Sequence, residues 1–468
     1  MKYLKRHLNR MLRMNSKRTL ILGFILIVLC GLLFTRSTEW FFVYYQKPCR
    51  DITYRNSASD KGITYMKQPK LILDETFKHH FKIDGAIFSD KGMALSVSKN
   101  ISTSLVYSFS PRVEQTAKKM YLLNGRDNTF YANSPAILWF KGRLFTTLRI
   151  WLQNEAYNIA KKWPANVFQD NTIFTQQFDK FMQPLTNGSL VGMVTPKWHI
   201  GDGPIEPRLF TFRNRLLMTF NTGYISSLKK MRDFSFIWDM ESNVLIRPRI
   251  KGPKPQSQMR DKHWIPFIKN NELYFVHGFD PLRILKCQLG DDACDCKFVM
   301  LRGNLSAIFS NIKTPLRGGT PMEKYKGSYY ITITHATLFK KATGLRFYTF
   351  NLVVFCTTPK PRIVYASGPI EVHPDLLKRY PIVRHWYIEE PFVFPVGLLL
   401  EGKDSVIIGG HINDHSSVLL RLTGLQAIMK TVISLDQENF KPKRGPPDFT
   451  VQAYVKDAAT KYSGIEFK

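Results

Sequence analysis

The sequence predicts an all-β fold, a five-bladed β-propeller that follows a single N-terminal transmembrane helix and a stem. Three observations support this prediction. Five hairpin patterns recur along the chain, each with an apolar strand, a short polar turn and a second strand in which apolar residues alternate. The chain contains 34 Phe and 20 Tyr, and aromatic residues favour strands. An uncharged apolar run also lies close to the N-terminus.

The N-terminal segment has the pattern of a signal anchor. Residues 1–18 contain seven Lys or Arg and no acidic residue, and residues 19–35 carry no charge. The apolar run is at the short end for a membrane helix, and the basic flank favours a cytoplasmic N-terminus. A cleaved signal peptide is the alternative, but no A-x-A-like site follows the run. We therefore expect a type II single-pass protein of the Golgi or another secretory-pathway membrane, with residues 36–80 as a lumenal stem.

The spacing of the hairpins predicts repeated β-units. Their turns are separated by 72, 57, 56 and 76 residues, which leaves room for about four strands in each unit. The turns are Lys141-Gly142, Arg213-Asn214, Asn270-Asn271, Lys326-Gly327 and Gly402-Lys403. A β-sandwich that happens to contain five hairpins is the alternative. We assign residues 81–434 to the propeller and 435–468 to a C-terminal extension, and we expect no long amphipathic helix.

Sequons and cysteines agree with a lumenal location. Three N-x-S/T sequons lie beyond the apolar run, at Asn100, Asn187 and Asn304. Three cysteines crowd into the segment KCQLGDDACDC, at Cys287, Cys294 and Cys296. A zinc site would need a fourth ligand and paired C-x-x-C spacing. In an oxidising compartment we expect a disulfide of Cys287 with Cys294 or Cys296, and we expect no metal or other cofactor.

The net charge of +31 implies an anionic partner or neighbourhood. Lipid phosphates, sugar nucleotides and acidic glycans are candidates. A nucleic-acid partner is disfavoured, because the basic residues are spread along the chain and no nucleic-acid-binding motif is present.

Polar and aromatic residues flank each hairpin, where the inner strands of a propeller would converge on one pocket. The candidates are Asn133 and Arg149 at the first hairpin, Asp202, Glu206 and Arg208 at the second, Lys262, His263, Trp264 and His277 at the third, Arg317, Thr320 and His335 at the fourth, and Glu390 and Phe394 at the fifth.

Five motifs in order carry a family resemblance: N-x-P-A…R, E-P-R, K-x-W, G-G-T-P…H and F-P-x-G. Over roughly residues 125–425, the chain resembles the five-bladed β-propeller β-mannoside phosphorylases and β-1,2-mannosidases of glycoside hydrolase family 130. It also resembles the related eukaryotic mannosyltransferase-phosphorylases. The resemblance implies that Glu206 is the catalytic acid, although the family typically has Asp there, in E-D-P-R. It also implies that cationic and imidazole side chains surround a phosphate group; here these are Arg208, Lys262, His277, Arg317 and His335.

The anchor and stem match the layout of Golgi glycosyltransferases. The sequence therefore predicts mannosyl transfer from an activated donor, a sugar phosphate or nucleotide sugar, to a glycan acceptor, with Trp264 and Phe394 as sugar platforms. A glycoside phosphorylase or hydrolase acting on β-mannosides and a non-catalytic glycan-binding propeller are the alternatives. Individual residues also have structural interpretations: Glu206 and Arg208 could form only an ion pair, and Trp264 could belong to the core.

Overall fold

The structure, a computed structural model, describes most of the chain after residue 68. The described residues are 43–44, 69–89, 92–109, 113, 128–154, 170–193, 203–225, 231–252, 264–279, 281–301, 316–386, 388–437 and 450–468. The predicted anchor, residues 19–35, and most of the predicted stem lie outside these ranges. Within these ranges, no helix is long and apolar enough to cross a bilayer.

The described part is mostly β-structure, as the sequence predicts. Its strands are β1 (Val43–Tyr44), β2 (Thr76–Ser89), β3 (Gly92–Ser108), β4 (Asn128–Phe140), β5 (Arg143–Asn154), β6 (Asp170–Phe178), β7 (Ser189–Met193), β8 (Ile205–Phe212), β9 (Arg215–Ile225), β10 (Met231–Asp239), β11 (Val244–Ile246), β12 (Pro248–Ile250), β13 (Ile265–Lys269), β14 (Glu272–Phe279), β15 (Leu282–Leu289), β16 (Cys294–Leu301), β17 (Leu316–Arg317), β18 (Glu323–Lys326), β19 (Tyr329–Phe339), β20 (Arg346–Cys356), β21 (Arg362–Ser367), β22 (Val393–Glu401), β23 (Ser405–Ile412) and β24 (Ser416–Thr423).

All five predicted hairpins are confirmed. They are the antiparallel pairs β4–β5, β8–β9, β13–β14, β18–β19 and β22–β23. The turn residues Asn270 and Asn271 have φ of 51° and 57°. Two consecutive residues at positive φ give the turn a twist that matches the twist of the flanking strands.

Each hairpin extends into an antiparallel meander, and we number these meanders 1 to 5. Their strand orders are β4-β5-β6-β7, β8-β9-β10-β11, β13-β14-β15-β16, β19-β20-β21 with β17 and β18 on the free edge of β19, and β22-β23-β24-β3. Meander 5 thus takes its last strand from the N-terminal part of the chain. Strand β2 pairs with both β3 and β21, which joins meander 5 to meander 4.

The first strand of three meanders carries a bulge at a proline. The pairing register shifts between Asn133 and Ala136 around Pro135, between Ile205 and Arg208 around Pro207, and at Pro395. Proline has no N–H to give to the ladder, and a bulge redirects the neighbouring side chains. These three strands therefore change direction close to candidate site residues.

From meander 2 onward, meanders that follow one another in sequence share buried cores. Meanders 2 and 3 share a cluster that includes Phe210 and Phe275, meanders 3 and 4 share one with Ile284 and Val353, and meanders 4 and 5 share one with Leu352 and Leu420.

Meanders 1 and 5 also share a core, although they lie at opposite ends of the repeat series. Its members include Leu148 and Leu419. The two meanders approach closely, since a Cβ built on Gly409 would lie 2.3 Å from the carbonyl oxygen of Pro135. Only glycine fits at that position without a backbone shift.

Three helices complete the described part: α1 (Pro374–Lys378), α2 (Leu425–Gln437) and α3 (Val451–Ser463). The expectation of no long amphipathic helix was wrong for α2 and α3. Helix α2 buries one face, formed by Leu425, Ile428, Met429 and Val432, which is the i, i+3, i+4, i+7 spacing of a helix that covers a core.

The C-terminal segment packs on the sheets. Helix α3 is capped at its N-terminus by Thr450, whose hydroxyl accepts a hydrogen bond from the Ala453 N–H, and at its C-terminus by Gly464, which has φ of 68°. Its Val455 belongs to the core of meanders 3 and 4. Beyond the helix, Phe467 forms an antiparallel bridge with Lys340 at the end of β19.

Residues 71–75, which the sequence places in the stem, are bound to meander 5. The Leu71 N–H donates a 2.7 Å hydrogen bond to Glu401. The Arg421 guanidinium donates to the Leu71 carbonyl at 2.8 Å and forms ion pairs with Glu401 at 2.8 Å and Glu75 at 2.6 Å. Contacts with the sheets therefore include residues 71–75, up to ten residues before position 81.

Candidate active site

Glu206 and Arg208 form a buried ion pair at the start of β8. Glu206 is 7% exposed and Arg208 is 1% exposed. The Arg208 Nη2 lies 3.4 Å from Glu206 Oε2, and its Nη1 donates a 2.9 Å hydrogen bond to the Glu206 carbonyl. Burial lowers the pKa of Arg208, and Glu206 opposes this shift. An arginine in such a place stays protonated, so it holds the carboxylate in one position.

Arg208 also connects meander 2 to meander 4. Its Nε donates a hydrogen bond to the carbonyl oxygen of Gly319, in the G-G-T-P corner that precedes β18. A Cβ on Gly319 would lie 2.0 Å from the Ile333 carbonyl oxygen, so this corner needs glycine. The neighbouring Thr320 is fully buried, and its hydroxyl accepts from the Ile333 N–H at 3.0 Å. These contacts fix the corner, and Arg208 binds its backbone carbonyl.

Two buried histidines enclose Phe394. The Phe394 ring centroid lies 4.2 Å from that of His335 and 5.2 Å from that of His411, and the latter pair is stacked at 20°. His335 and His411 are 1% and 3% exposed. The stack joins β19 in meander 4 to β22 and β23 in meander 5.

His411 is neutral at neutral pH, and four charged groups act on it. Burial is the main cause that lowers its pKa to about 4. The carboxylate of Asp414, whose oxygen lies 3.6 Å from His411 Nδ1, opposes the shift, while Arg384 and Arg149 add to it. Glu206 also acts on His411, so the carboxylate of meander 2 lies within electrostatic range of meander 5.

Arginines of meander 1 and of the segment before β22 share one tryptophan. The guanidinium carbons of Arg149 and Arg384 lie 4.4 and 5.0 Å from the Trp151 ring centroid. Arg384 is also bonded to Asp414, and the amide of fully buried Asn133 lies 3.5 Å from the Asp414 carbonyl. Two cations are thus held within electrostatic range of His411.

The structure brings together most of the described candidates from the sequence. Asn133, Arg149, Glu206, Arg208, Thr320, His335 and Phe394 belong to this connected set. Arg317 lies opposite His335 in the β17–β19 pair. Asp202, Lys262 and His263 lie outside the described residues.

Trp264 and His277 occupy a different place. Trp264 is 3% exposed and packs against Phe275 and His277, at 5.6 and 5.5 Å between ring centroids, in the core of meanders 2 and 3. His277 also contacts Phe298 at 5.4 Å. The position of Trp264 agrees with the core interpretation of this residue.

Glu390 is held by a lysine that sequence reasoning did not select. The Lys340 ammonium lies 2.8 Å from Glu390 and 2.7 Å from Glu389. Arg384, His411, Asp414 and Trp151 were also not among the selected site residues. The three-residue spacing of His411, near the end of β23, and Asp414, just after it, is a signal that could have indicated them.

The cysteine cluster contains one disulfide, between Cys287 and Cys296, which lie directly opposite each other in β15 and β16. Cys294 is a buried thiol 3.7 Å from the Cys296 sulfur, and burial with the nearby Asp295 charge raises its pKa to about 12. Of the sequons, Asn100 and Asn187 are exposed, and Asn304 lies outside the described residues.

Parts of the chain are similar to curated proteins named as β-mannosyltransferases. No family model matches the chain. Beta-mannosyltransferase 3 of Komagataella phaffii is 32% identical over 127 residues, 26% of this chain and 20% of that protein. Beta-mannosyltransferase 2 of the same organism is 40% identical over 65 residues, 13% of this chain and 9% of that protein. The match thus spans a fifth or less of these relatives, whose names agree with the resemblance found in the sequence.

Two solved structures align with much of the chain at low sequence identity. A β-1,2-mannobiose phosphorylase from Listeria innocua has a TM-score of 0.40 at 12% identity, covering 66% of this chain and 94% of the other. A GDP-Man-dependent mannosyltransferase from Leishmania mexicana has a TM-score of 0.41 at 9% identity, covering 67% and 94%.

Proposed function

We propose that this chain is a membrane-anchored glycosyltransferase that moves a mannosyl group from an activated sugar to a glycan acceptor. One observation carries the proposal. A buried carboxylate, Glu206, is fixed by Arg208 where side chains of meanders 1, 2, 4 and 5 meet. The choice of mannose as the transferred sugar is supported by the curated relatives named as β-mannosyltransferases.

The five meanders are proposed to close into a five-bladed propeller. Meanders 2 and 3, 3 and 4, and 4 and 5 share cores, and meander 5 shares a core with meander 1. The Arg208–Gly319 hydrogen bond supports the same arrangement, because it joins meanders 2 and 4, which are not neighbours in sequence. In such a ring, the first strand of every blade lines a central hollow.

Glu206 is the proposed general base or acid. In the synthetic direction, its carboxylate takes the proton of an acceptor hydroxyl while that oxygen forms a bond to the mannosyl carbon. The bond from this carbon to the phosphate oxygen of the donor breaks, and the electron pair leaves with the phosphate group. The backbone of Glu206 has φ of 53°, a strained conformation for this residue that costs about 1–3 kcal/mol and is typical of functional positions.

Arg149 and Arg384 are the proposed partners of the departing phosphate. A guanidinium gives paired hydrogen bonds to phosphate oxygens, and fixed positive charge stabilises the anion that develops. Both guanidiniums are oriented by Trp151. His411, being neutral, offers hydrogen bonding without added charge.

The membrane location rests on the sequence. The uncharged run at residues 19–35 and its basic flank support an uncleaved type II anchor. The exposed positions of Asn100 and Asn187 are compatible with glycosylation in the secretory pathway, with the Golgi as the proposed compartment.

The test compares the wild-type protein with Glu206→Gln. GDP-mannose and mannose 1-phosphate are offered as donors with mannose oligosaccharides as acceptors, and β-mannosides are offered in parallel with phosphate or water. We expect glycan extension by the wild type, and a loss of about 10²–10⁴-fold in the variant. Glu241→Gln is the matched control, because Glu241 is a half-exposed partner of Lys141 on the surface and its loss should leave the rate unchanged.

Three results would contradict the proposal. Extension that survives in Glu206→Gln would remove the assigned role of this residue. Mannose 1-phosphate or mannose released from β-mannosides, with no extension, would indicate a phosphorylase or a hydrolase. Glycan binding without turnover of any substrate would indicate a non-catalytic protein.

A further inference from the structure

We infer that a groove beside the candidate active site binds the part of the acceptor glycan that lies beyond its reacting sugar, a neutral oligosaccharide arm. The inference rests on the proposed transferase function and adds a second binding region to it. The groove lies between the start of β20, the segment before β22, helix α1 and the C-terminal end of α3.

The groove has the size of a carbohydrate subsite. Its volume is about 360 Å³, and its lining includes Tyr348, Phe392, Ile370, Leu377, Glu390 and Tyr462. This volume lies within the range of small-ligand pockets, which is about 300–1,000 Å³.

The groove and the candidate active site share a wall. Tyr348 and Phe392 line the groove, and their ring centroids lie 5.0 Å apart. Tyr348 also lies 6.2 Å from Phe394, and Phe392 lies 6.0 Å from His411. A glycan arm in the groove would therefore lie one layer of aromatic rings away from His411.

The chemistry of the lining suits a neutral sugar chain. Aromatic rings offer flat apolar faces to the C–H faces of sugar rings, while a few polar groups fix orientation. The groove carboxylate, Glu390, is already paired with Lys340 at 2.8 Å. Among the described lining residues, Lys378 is the remaining charged group, and it is exposed on α1. With one paired carboxylate and one exposed lysine, the groove has no strong attraction for a phosphate or for a charged chain.

The outer rim of the groove is firmly built. Tyr462 lines the groove at the end of α3 and is 50% exposed, so its ring is accessible to a ligand. The chain after α3 is bound to the end of β19, because the Lys468 N–H donates to the Phe339 carbonyl at 2.9 Å and the Lys341 N–H donates to the Glu466 carbonyl at 2.8 Å. The rim is therefore held in place before any ligand arrives.

The test measures acceptor length dependence with the full-length protein. GDP-mannose is the donor, and mannose, mannobiose, mannotriose and mannotetraose are the acceptors. Tyr462→Ala removes the rim ring, and Ser463→Trp fills the groove. We expect kcat/KM to fall about tenfold for mannotriose and mannotetraose, chiefly through KM, and to stay unchanged for mannose. Phe181→Ala is the control, since Phe181 is also exposed, at 45%, but lies outside the groove.

The outcomes separate the two proposals. A uniform loss for all acceptors, or no loss for the long ones, overturns the groove assignment and leaves the transferase proposal intact. If the wild type extends no acceptor, the transferase proposal fails, and mannotetraose binding followed by saturation-transfer NMR decides on the groove. Binding that Ser463→Trp weakens would support the groove, and binding that it leaves unchanged would overturn it.

Discussion

The burial of His411 predicts a loss of stability in mild acid. Its pKa in the folded protein is about 4, against an ordinary value of 6.5. Between these two values, the unfolded chain binds a proton that the folded protein does not. The stabilisation is therefore complete above pH 6.5 and is lost as the pH falls toward 4. The perturbation that isolates this effect is His411→Phe, which removes the titrating group and keeps a ring to stack on Phe394.

The magnitude follows from the pKa difference. A shift of 2.5 units, at 1.36 kcal/mol per unit, corresponds to roughly 3 kcal/mol. The wild type should lose about this much more unfolding free energy between pH 7 and pH 4 than His411→Phe loses. Urea unfolding at a series of pH values, followed by tryptophan fluorescence, measures the difference.

A matched variant shows whether the effect belongs to this site. His385 is exposed, so His385→Phe should follow the wild-type pH curve. Parallel curves for the wild type and His411→Phe would refute the reasoning, because they would mean that His411 is as easily protonated in the folded protein as in the unfolded chain.

Two stability predictions concern close packing and buried charge. Gly409→Ala should destabilise the folded protein by about 1–3 kcal/mol, because the new methyl group would meet the Pro135 carbonyl. Gly192→Ala is the control and should be close to neutral in the same thermal-unfolding assay, because the space around its Cβ is open. Equal effects of the two substitutions would contradict the close approach of Gly409 to Pro135. Arg421→Leu should cost about 3–5 kcal/mol, since it leaves Glu401 buried without its cation, and a urea midpoint that stays within error of the wild type would show that the pair is not buried in solution.

The repeated units were readable from sequence because their determinants are local. A turn such as Lys141-Gly142 and the alternation on either side of it lie within about a dozen residues, and both depend on backbone preferences that each residue carries with it. The apolar face of α2 is an equally local pattern, with Leu425, Ile428 and Met429 at helical spacing. This helix was not predicted, because the many strand patterns around it favoured an all-β interpretation.

The connections of the site were not readable in the same way. The bond of Arg208 to Gly319 joins positions 111 residues apart, and Arg384 reaches Asp414 across an intervening hairpin. Such contacts depend on how whole meanders pack, which no local preference encodes. For the same reason, the K-x-W motif could pick out Trp264 as a candidate, but only the packing of meanders 2 and 3 shows that its ring lies in their core.

Strand β3 obtains its neighbour β24 very late in synthesis. The pair joins Ser108 to Val418 and Ser102 to Thr423. Strand β3 therefore leaves the ribosome long before its partner strand β24 has been synthesised. A nascent chain must keep that edge from pairing with other molecules for most of translation. A premature stop anywhere upstream of β24 would therefore yield an aggregation-prone fragment rather than a smaller working protein.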